Sequence, residues 1–257
     1  MWQRSLATAV AAARAAGKVM RDNLRRAKHI NSATQHDIKL ELDVRCQKLI
    51  ERRLRRDFPA WPILGEEGIL GDPEAPQRWV VDPIDGTVNF TYGFPHACVS
   101  IALQIRGSNG EFQSVVGVVY DPFTNELWTA LRGRRALLNG RPVHVSTRAR
   151  LGEAIVSVGF AKNRTTLNRM LPVLGQLVHR VRKIRIMGSA ALSMVYVAGG
   201  RLDAYIEYGL RLWDIAAGGL ILECAGGDFW HQPVEGEYAY RILASNGRLR
   251  PALQRLG

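Results

Sequence analysis

Asp82 and Asp85 stand three residues apart, on either side of a proline, in the run Trp79-Val80-Val81-Asp82-Pro83-Ile84-Asp85-Gly86-Thr87-Val88-Asn89-Phe90. The apolar start, Trp79 to Val81, reads as a short buried strand. Pro83 has no N–H to give a ladder, so the strand is expected to stop at Asp82-Pro83. Gly86 accepts dihedrals that other residues avoid and turns the chain. Two carboxylates would then stand in a stiff loop at a strand's carboxyl end, with the Ile84 carbonyl between them outside any ladder. Anionic and carbonyl oxygens held in place in advance suit a hard divalent cation. The Gly86 and Thr87 amides follow at once, and can face an anion if a helix starts there.

The surrounding elements must bring further groups to this loop. Residues 2–28 read as one long helix, with Leu6, Val10, Ala13, Val19, Met20 and Leu24 at helical spacing and Gly17 as a mild weakness. A polar loop over 31–37 and an alternating stretch over 38–42 lead to Asp43, which precedes a second helix over 44–57. Cys46, Leu49, Ile50 and Leu54 face inward on it, and Arg52, Arg53, Arg55 and Arg56 coat the outside. A short strand over 62–65 runs into Glu66. Residues 97–104, 114–120 and 126–131 read as antiparallel strands, with turn signals at Asn109-Gly110, Asp121-Pro122 and Asn139-Gly140. Then strands over 154–158, 183–186 and 202–208 alternate with helices over 167–181, 189–197 and 214–225. Such alternation suggests a more parallel, doubly wound half. The class is therefore α/β, an α+β domain over 1–146 followed by an α/β domain over 147–257.

Composition narrows the setting. The chain has 257 residues, 47% of them hydrophobic, and no apolar run long enough for a membrane span. The N-terminus lacks the regions of a signal peptide. Cys46, Cys98 and Cys224 show no paired spacing, so buried free thiols in a reducing, cytoplasmic compartment are expected. Residues 1–56 carry 14 Lys and Arg against 5 Asp and Glu, much of the net charge of +12. That reads as a solvated basic helix face. The other reading, a contact with nucleic acid or an acidic partner, lacks aromatics interleaved for stacking. Zinc pairs of the H-E-x-x-H type, C-x-x-C, the G-x-S-x-G elbow and the nucleotide loops are absent from the sequence.

The central run resembles the D-P-I-D-G-T-x-N-F signature of the inositol monophosphatase family of magnesium-dependent, lithium-sensitive phosphatases. Leu64-Gly65-Glu66-Glu67-Gly68 and Trp213-Asp214-Ile215-Ala216-Ala217-Gly218 resemble two further signatures of that family, in the right order. The resemblance implies a layered α/β/α/β/α sandwich, two or three Mg²⁺ per site, and a homodimer. It implies that Glu66, Asp82, the Ile84 carbonyl, Asp85 and Asp214 hold the metals. Two such ions ~3.5–4 Å apart can activate water, neutralise a phosphoryl group and stabilise the leaving oxygen. Thr87, helped by Asp43, would orient the attacking water beside Glu66, and the Gly86 and Thr87 amides would hold the phosphate. Gly188, Ser189 and Ala190 resemble the loop that touches the sugar ring, and Glu207 resembles the acid that binds ring hydroxyls.

Plainer roles stand beside these. Asp43 and Asp214 can each be an ordinary helix N-cap, Glu207 can be an exposed strand residue, and Glu67 stays outside the metal set. The implied activity is hydrolysis of a small polyol phosphate by metal-activated water, with myo-inositol 1-phosphate the first choice. Histidinol phosphate, fructose 1,6-bisphosphate and nucleotide 3′-phosphates are the alternatives within the family.

Overall fold

A computed structural model describes residues 2–28, 30–33, 38–160 and 164–256. In the first half, α1 (Gln3–Asn23) leads to β1 (Ile30–Ala33), β2 (Ile38–Leu40) and α2 (Glu41–Asp57). Then come β3 (Ile63–Gly65), β4 (Gly68–Leu70), β5 (Gln77–Asp85), the short α3 (Thr87–Thr91), β6 (Cys98–Arg106), β7 (Phe112–Asp121), β8 (Glu126–Leu131), β9 (Leu137–Leu138) and β10 (Arg141–Pro142). The second half holds β11 (Ile155–Val158), α4 (Arg164–Val178), β12 (Lys183–Arg185), α5 (Ala190–Ala198), β13 (Ala204–Arg211), α6 (Leu212–Cys224), β14 (Asp228–Pro233), β15 (Ala239–Ser245) and α7 (Arg250–Gln254).

Two larger sheets organise these elements. One has eight strands in the order β10-β9-β8-β7-β6-β5-β3-β4, the other five in the order β12-β11-β13-β15-β14. Helices α1 and α2 pack on the outer face of the first sheet. Helices α5 and α6 lie between the sheets, in a core that includes Leu192, Met194, Leu220 and Ile221. Helices α4 and α7 cover the far face of the second sheet. The result is the expected α/β/α/β/α sandwich, each layer burying the apolar face of the next. No helix among the described residues is long and apolar enough to cross a membrane.

Several expectations need correction. The first helix ends at Asn23, and Lys28 folds back to donate to the carbonyls of Asn23, Leu24 and Arg26. Of the expected inward set, Ala13 and Met20 are fully buried, joined by Ala9, Ala12 and Ala16, while Leu6, Val10, Val19 and Leu24 are only partly buried beside them. Small residues let the helix lie close on the sheet. Gly17 is part of that fit, since a Cβ there would stand 2.6 Å from the Tyr120 ring. The polar loop over 31–37 begins as strand β1, and residues 34–37 lie outside the described set. The second sheet is mixed: β11 pairs in parallel with β12 and β13, but β15 runs antiparallel to both β13 and β14. The β14–β15 hairpin and α7 lie beyond the last element that the sequence pattern indicates.

Candidate active site

The first half of the site is built on β5. This strand does not stop at Asp82-Pro83. It continues to Asp85, with the register against β6 shifting between Asp82 and Asp85. Proline fits there because the bulge asks no N–H of it. The bulge frees the Ile84 carbonyl, which accepts the Thr87 hydroxyl at 2.9 Å, while the Ile84 N–H goes to Asp82 Oδ1 at 3.0 Å. Next to it, β3 pairs in parallel with β5, and the Glu66 N–H donates to the Val81 carbonyl. Glu66 is thereby set beside Asp82. Gly86 turns the chain with φ 98°. A Cβ there would meet the His96 carbonyl at 2.9 Å and the Gly188 carbonyl at 3.2 Å.

Asp43 comes to this loop from α2. It is the third residue of the helix, not its cap, and its Oδ2 accepts the Leu40 N–H at 3.1 Å. Its Oδ1 lies 3.1 Å from the Thr87 hydroxyl. Asp43 is 1% exposed. Burial, then the charges of Glu66 and Glu67, push its carboxyl up to about 8. A hydroxyl has one proton to give and two acceptors here. With Asp43 protonated, the acid can donate to the Thr87 oxygen while Thr87 donates to Ile84. Once ionised, Asp43 competes for the Thr87 proton.

The second half supplies Asp214 and a helix end. Asp214 repeats the Asp43 device at the third position of α6, with Oδ2 accepting the Arg211 N–H at 2.7 Å. Asp85 faces the start of α5. It accepts the Ala190 N–H at 3.1 Å on Oδ1, and on Oδ2 the Ser189 hydroxyl at 2.5 Å and the Ala191 N–H at 2.7 Å. Ser189 is also the N-cap of α5. The ring-touching loop expected at Gly188, Ser189 and Ala190 thus spends the Ser189 and Ala190 donors on Asp85. Glu207 is a buried strand residue, 7% exposed, and the Tyr205 hydroxyl donates to its Oε2.

A cavity of about 600 Å³ gathers these groups. Its lining includes Glu66, Asp82, Ile84, Asp85, Gly86, Thr87, Gly188, Ser189, Ala190, Glu207 and Asp214, and leaves out Asp43, which lies behind Thr87. Burial pushes the Asp82 acid well up, and the charges of Glu66, Asp85 and Asp214 push it further. Burial also raises Asp85, against the hydrogen bonds from Ser189, Ala191 and Ala190. Clustered carboxylates raise one another's pKa values when they are desolvated, and their oxygens are the donors that Mg²⁺ prefers. The residues fit the ion in chemistry. As placed, Asp82, Asp85 and Asp214 accept from protein donors, and among the described residues no three acidic, histidine or cysteine side chains converge as a ready cage.

Other lining residues were not singled out as site residues in the sequence. The Asn89 amide donates to the His96 and Met187 carbonyls at 2.9 and 2.8 Å, tying the first sheet's loop to the 187–188 turn. It stands inside the quoted signature, so a signal for it existed. Tyr205 lies two residues from Glu207, on the same strand face. Gly159, Trp213 and Tyr238 also line the cavity, and nothing in local sequence ties Gly159 or Tyr238 to it.

Acidic residues from four separate elements line one cavity between the two sheets, an arrangement that suits a hydrolase of small phosphorylated compounds. The chain belongs to the inositol monophosphatase family, whose description matches residues 1–253. It is accordingly a phosphatase of that family, for which Mg²⁺ dependence is implied. It is 38% identical over 259 residues to "Nus factor SuhB" of Xylella fastidiosa, covering 96% of this chain and 92% of that protein. It is 39% identical over 256 residues to "Inositol monophosphatase 2" of Solanum lycopersicum, covering 95% and 94%. Among solved structures, the inositol monophosphatase from Anabaena matches with a TM-score of 0.86 and 36% identity, covering 99% of this chain and 95% of the other. The extragenic suppressor protein suhB from Bartonella henselae matches at 0.89 and 32%, covering 99% and 98%.

Proposed function

We propose that the chain hydrolyses myo-inositol 1-phosphate or a close polyol monophosphate. The observation that carries this reading is one cavity with two chemistries: the Glu66, Asp82, Asp85 and Asp214 carboxylates together with the buried Glu207. In this reading Glu66, Asp82, Ile84, Asp85 and Asp214 hold two Mg²⁺, which when bound neutralise phosphoryl and leaving oxygens and acidify water. Thr87 orients the attacking water, and Asp43 behind it holds or takes the hydroxyl proton. The Gly86 and Thr87 amides face the phosphate. Glu207, fixed by Tyr205, accepts hydrogen bonds from ring hydroxyls. A second phosphate on the substrate would meet more carboxylates than cations here, since Arg211 is the one cation among the described lining residues. That favours a monophosphate over fructose 1,6-bisphosphate.

The test is a panel of phosphate esters with Mg²⁺: inositol 1-phosphate, histidinol phosphate, fructose 1,6-bisphosphate and a nucleotide 3′-phosphate. Inositol 1-phosphate should turn over fastest. Activity should vanish on chelation, return with Mg²⁺, and be inhibited by Li⁺, a small hard cation with half the charge. Full turnover in excess EDTA would sink the metal assignment. We place the chain in the cytoplasm as a homodimer. The buried thiols of Cys46 and Cys98 support a reducing setting, and the exposed Tyr92 and Phe94 beside α3 offer an apolar contact surface.

A further inference from the structure

Tyr238, in the hairpin loop between β14 and β15, has φ 50°. That is the left-handed region, which bulky side chains rarely occupy because their Cβ crowds the following carbonyl oxygen. The surroundings show what holds it there. Its ring lies 6.5 Å from the Trp213 ring, the planes 55° apart, and 5.9 Å from the Arg78 guanidinium. Arg78 is 4% exposed and rigidly placed. It donates to Gln104 Oε1 at 3.0 Å and to the Pro73 carbonyl at 2.9 Å, and it lies 3.6 Å from the Phe112 ring centroid. Arg211, at the start of α6, donates to the Glu237 carbonyl. The loop's own closure is a separate bond, from the Val234 N–H to the Ala239 carbonyl at 2.9 Å.

A loop of the second sheet is therefore fastened to the first sheet and to α6, around a residue in an unfavourable conformation. Such strain persists where the surroundings over-determine it, and it gathers at sites of function. Tyr238 and Trp213 line the same cavity as Glu207 and Asp214. Their rings add two tilted aromatic surfaces to a cavity that Val158, Phe160, Ile186 and Leu210 also line. A cyclic polyol has hydroxyls round its rim and C–H groups on its faces. Carboxylates serve the rim, and an aromatic face packs against the C–H groups.

We propose that Tyr238 is a specificity-determining residue: its ring packs against the leaving-group ring, so that the site selects ring-bearing over open-chain phosphate monoesters. This rests on the phosphomonoesterase reading above.

The experiment compares inositol 1-phosphate with glycerol 2-phosphate for the parent enzyme, Tyr238→Phe and Tyr238→Asn, alongside their melting temperatures. Asparagine tolerates the left-handed region, so fold and ring are separated. The parent should prefer the ring ester, and Tyr238→Phe should keep that preference. In Tyr238→Asn the ratio of kcat/KM values should fall about tenfold, through KM for the ring ester, with glycerol 2-phosphate unchanged and Tm equal or higher. A parent without ring preference, or an unchanged ratio in Tyr238→Asn, would overturn the proposal. So would equal losses on both esters with a lowered Tm, which mark a structural role. A parent inactive on both esters with Mg²⁺ would overturn the phosphatase reading as well.

Discussion

The Ser189 hydroxyl donates to the Asp85 carboxylate at 2.5 Å, across 104 residues of chain. Two amides of α5, from Ala190 and Ala191, join it. One residue of the first sheet thus completes the N-terminus of a helix in the second half, where the helix dipole favours negative charge.

Asp85→Asn should therefore do two things. Loss of a metal-facing oxygen anion should cut kcat by roughly 100-fold or more. An asparagine amide cannot accept from all the donors of α5, so stability should also fall, by about 1 kcal/mol. Relief of charge repulsion alone would predict no such loss. Steady-state assays and urea denaturation read the two effects. Wild-type turnover would remove Asp85 from the site, and unchanged stability would mean that α5 finds other partners.

Asp43 gives the metal-free protein a pH dependence. Its carboxyl rises from an ordinary 3.8 to about 8 on folding, so the native state binds the proton more tightly. Its contribution is fully present below the unfolded value and is lost as pH rises through about 8. In EDTA, Tm should decline from mildly acidic to mildly alkaline pH. Asp82 and Asp85 shift in the same direction, so Asp43→Asn should flatten the decline without abolishing it. A variant with the full wild-type slope would show that Asp43 ionises freely.

Glu207→Ala should lower kcat/KM for inositol 1-phosphate by roughly tenfold, about 1.4 kcal/mol. Hydrolysis of p-nitrophenyl phosphate should change little, because its ring has no hydroxyls for the carboxylate to accept from. Equal losses on both substrates would make Glu207 a support of the fold or of the metal site.

Gly159 tests the same carboxylate from the other side. A Cβ on residue 159 would stand 1.6 Å from Glu207 Oε2, so Gly159→Ala must displace that side chain from Tyr205. The variant should reproduce the selective loss of Glu207→Ala on inositol 1-phosphate, with a lower Tm from the forced repacking. Parent-like selectivity with the carboxylate displaced would sink the role of Glu207 in choosing the substrate.

By itself, the sequence determined the groups and most local elements. Helical period and turn residues are intrinsic to a segment, which is why α2 and the strands β6, β7 and β8 fell close to where periodicity put them. The three signatures placed the acidic residues in order along the chain, and the structure finds Glu66, Asp82, Asp85 and Asp214 around one cavity.

Tertiary structure decided what those segments meet. Proline at 83 argued for a strand end, but β6 supplies a partner that tolerates a bulge there, so β5 runs on to Asp85. The period of α1 pointed to Ala13 and Met20, which are buried, but also to Leu6, Val10 and Val19; close packing on β7 buries Ala9, Ala12, Ala16 and Gly17 more deeply than these three. Alternating elements suggested parallel strands, while the β14–β15 hairpin turned the second sheet mixed and brought Tyr238 to the cavity. A one-dimensional pattern records which residues can be buried or bent. Which partner buries them, and which distant N–H meets which carboxylate, is settled only when the whole chain packs.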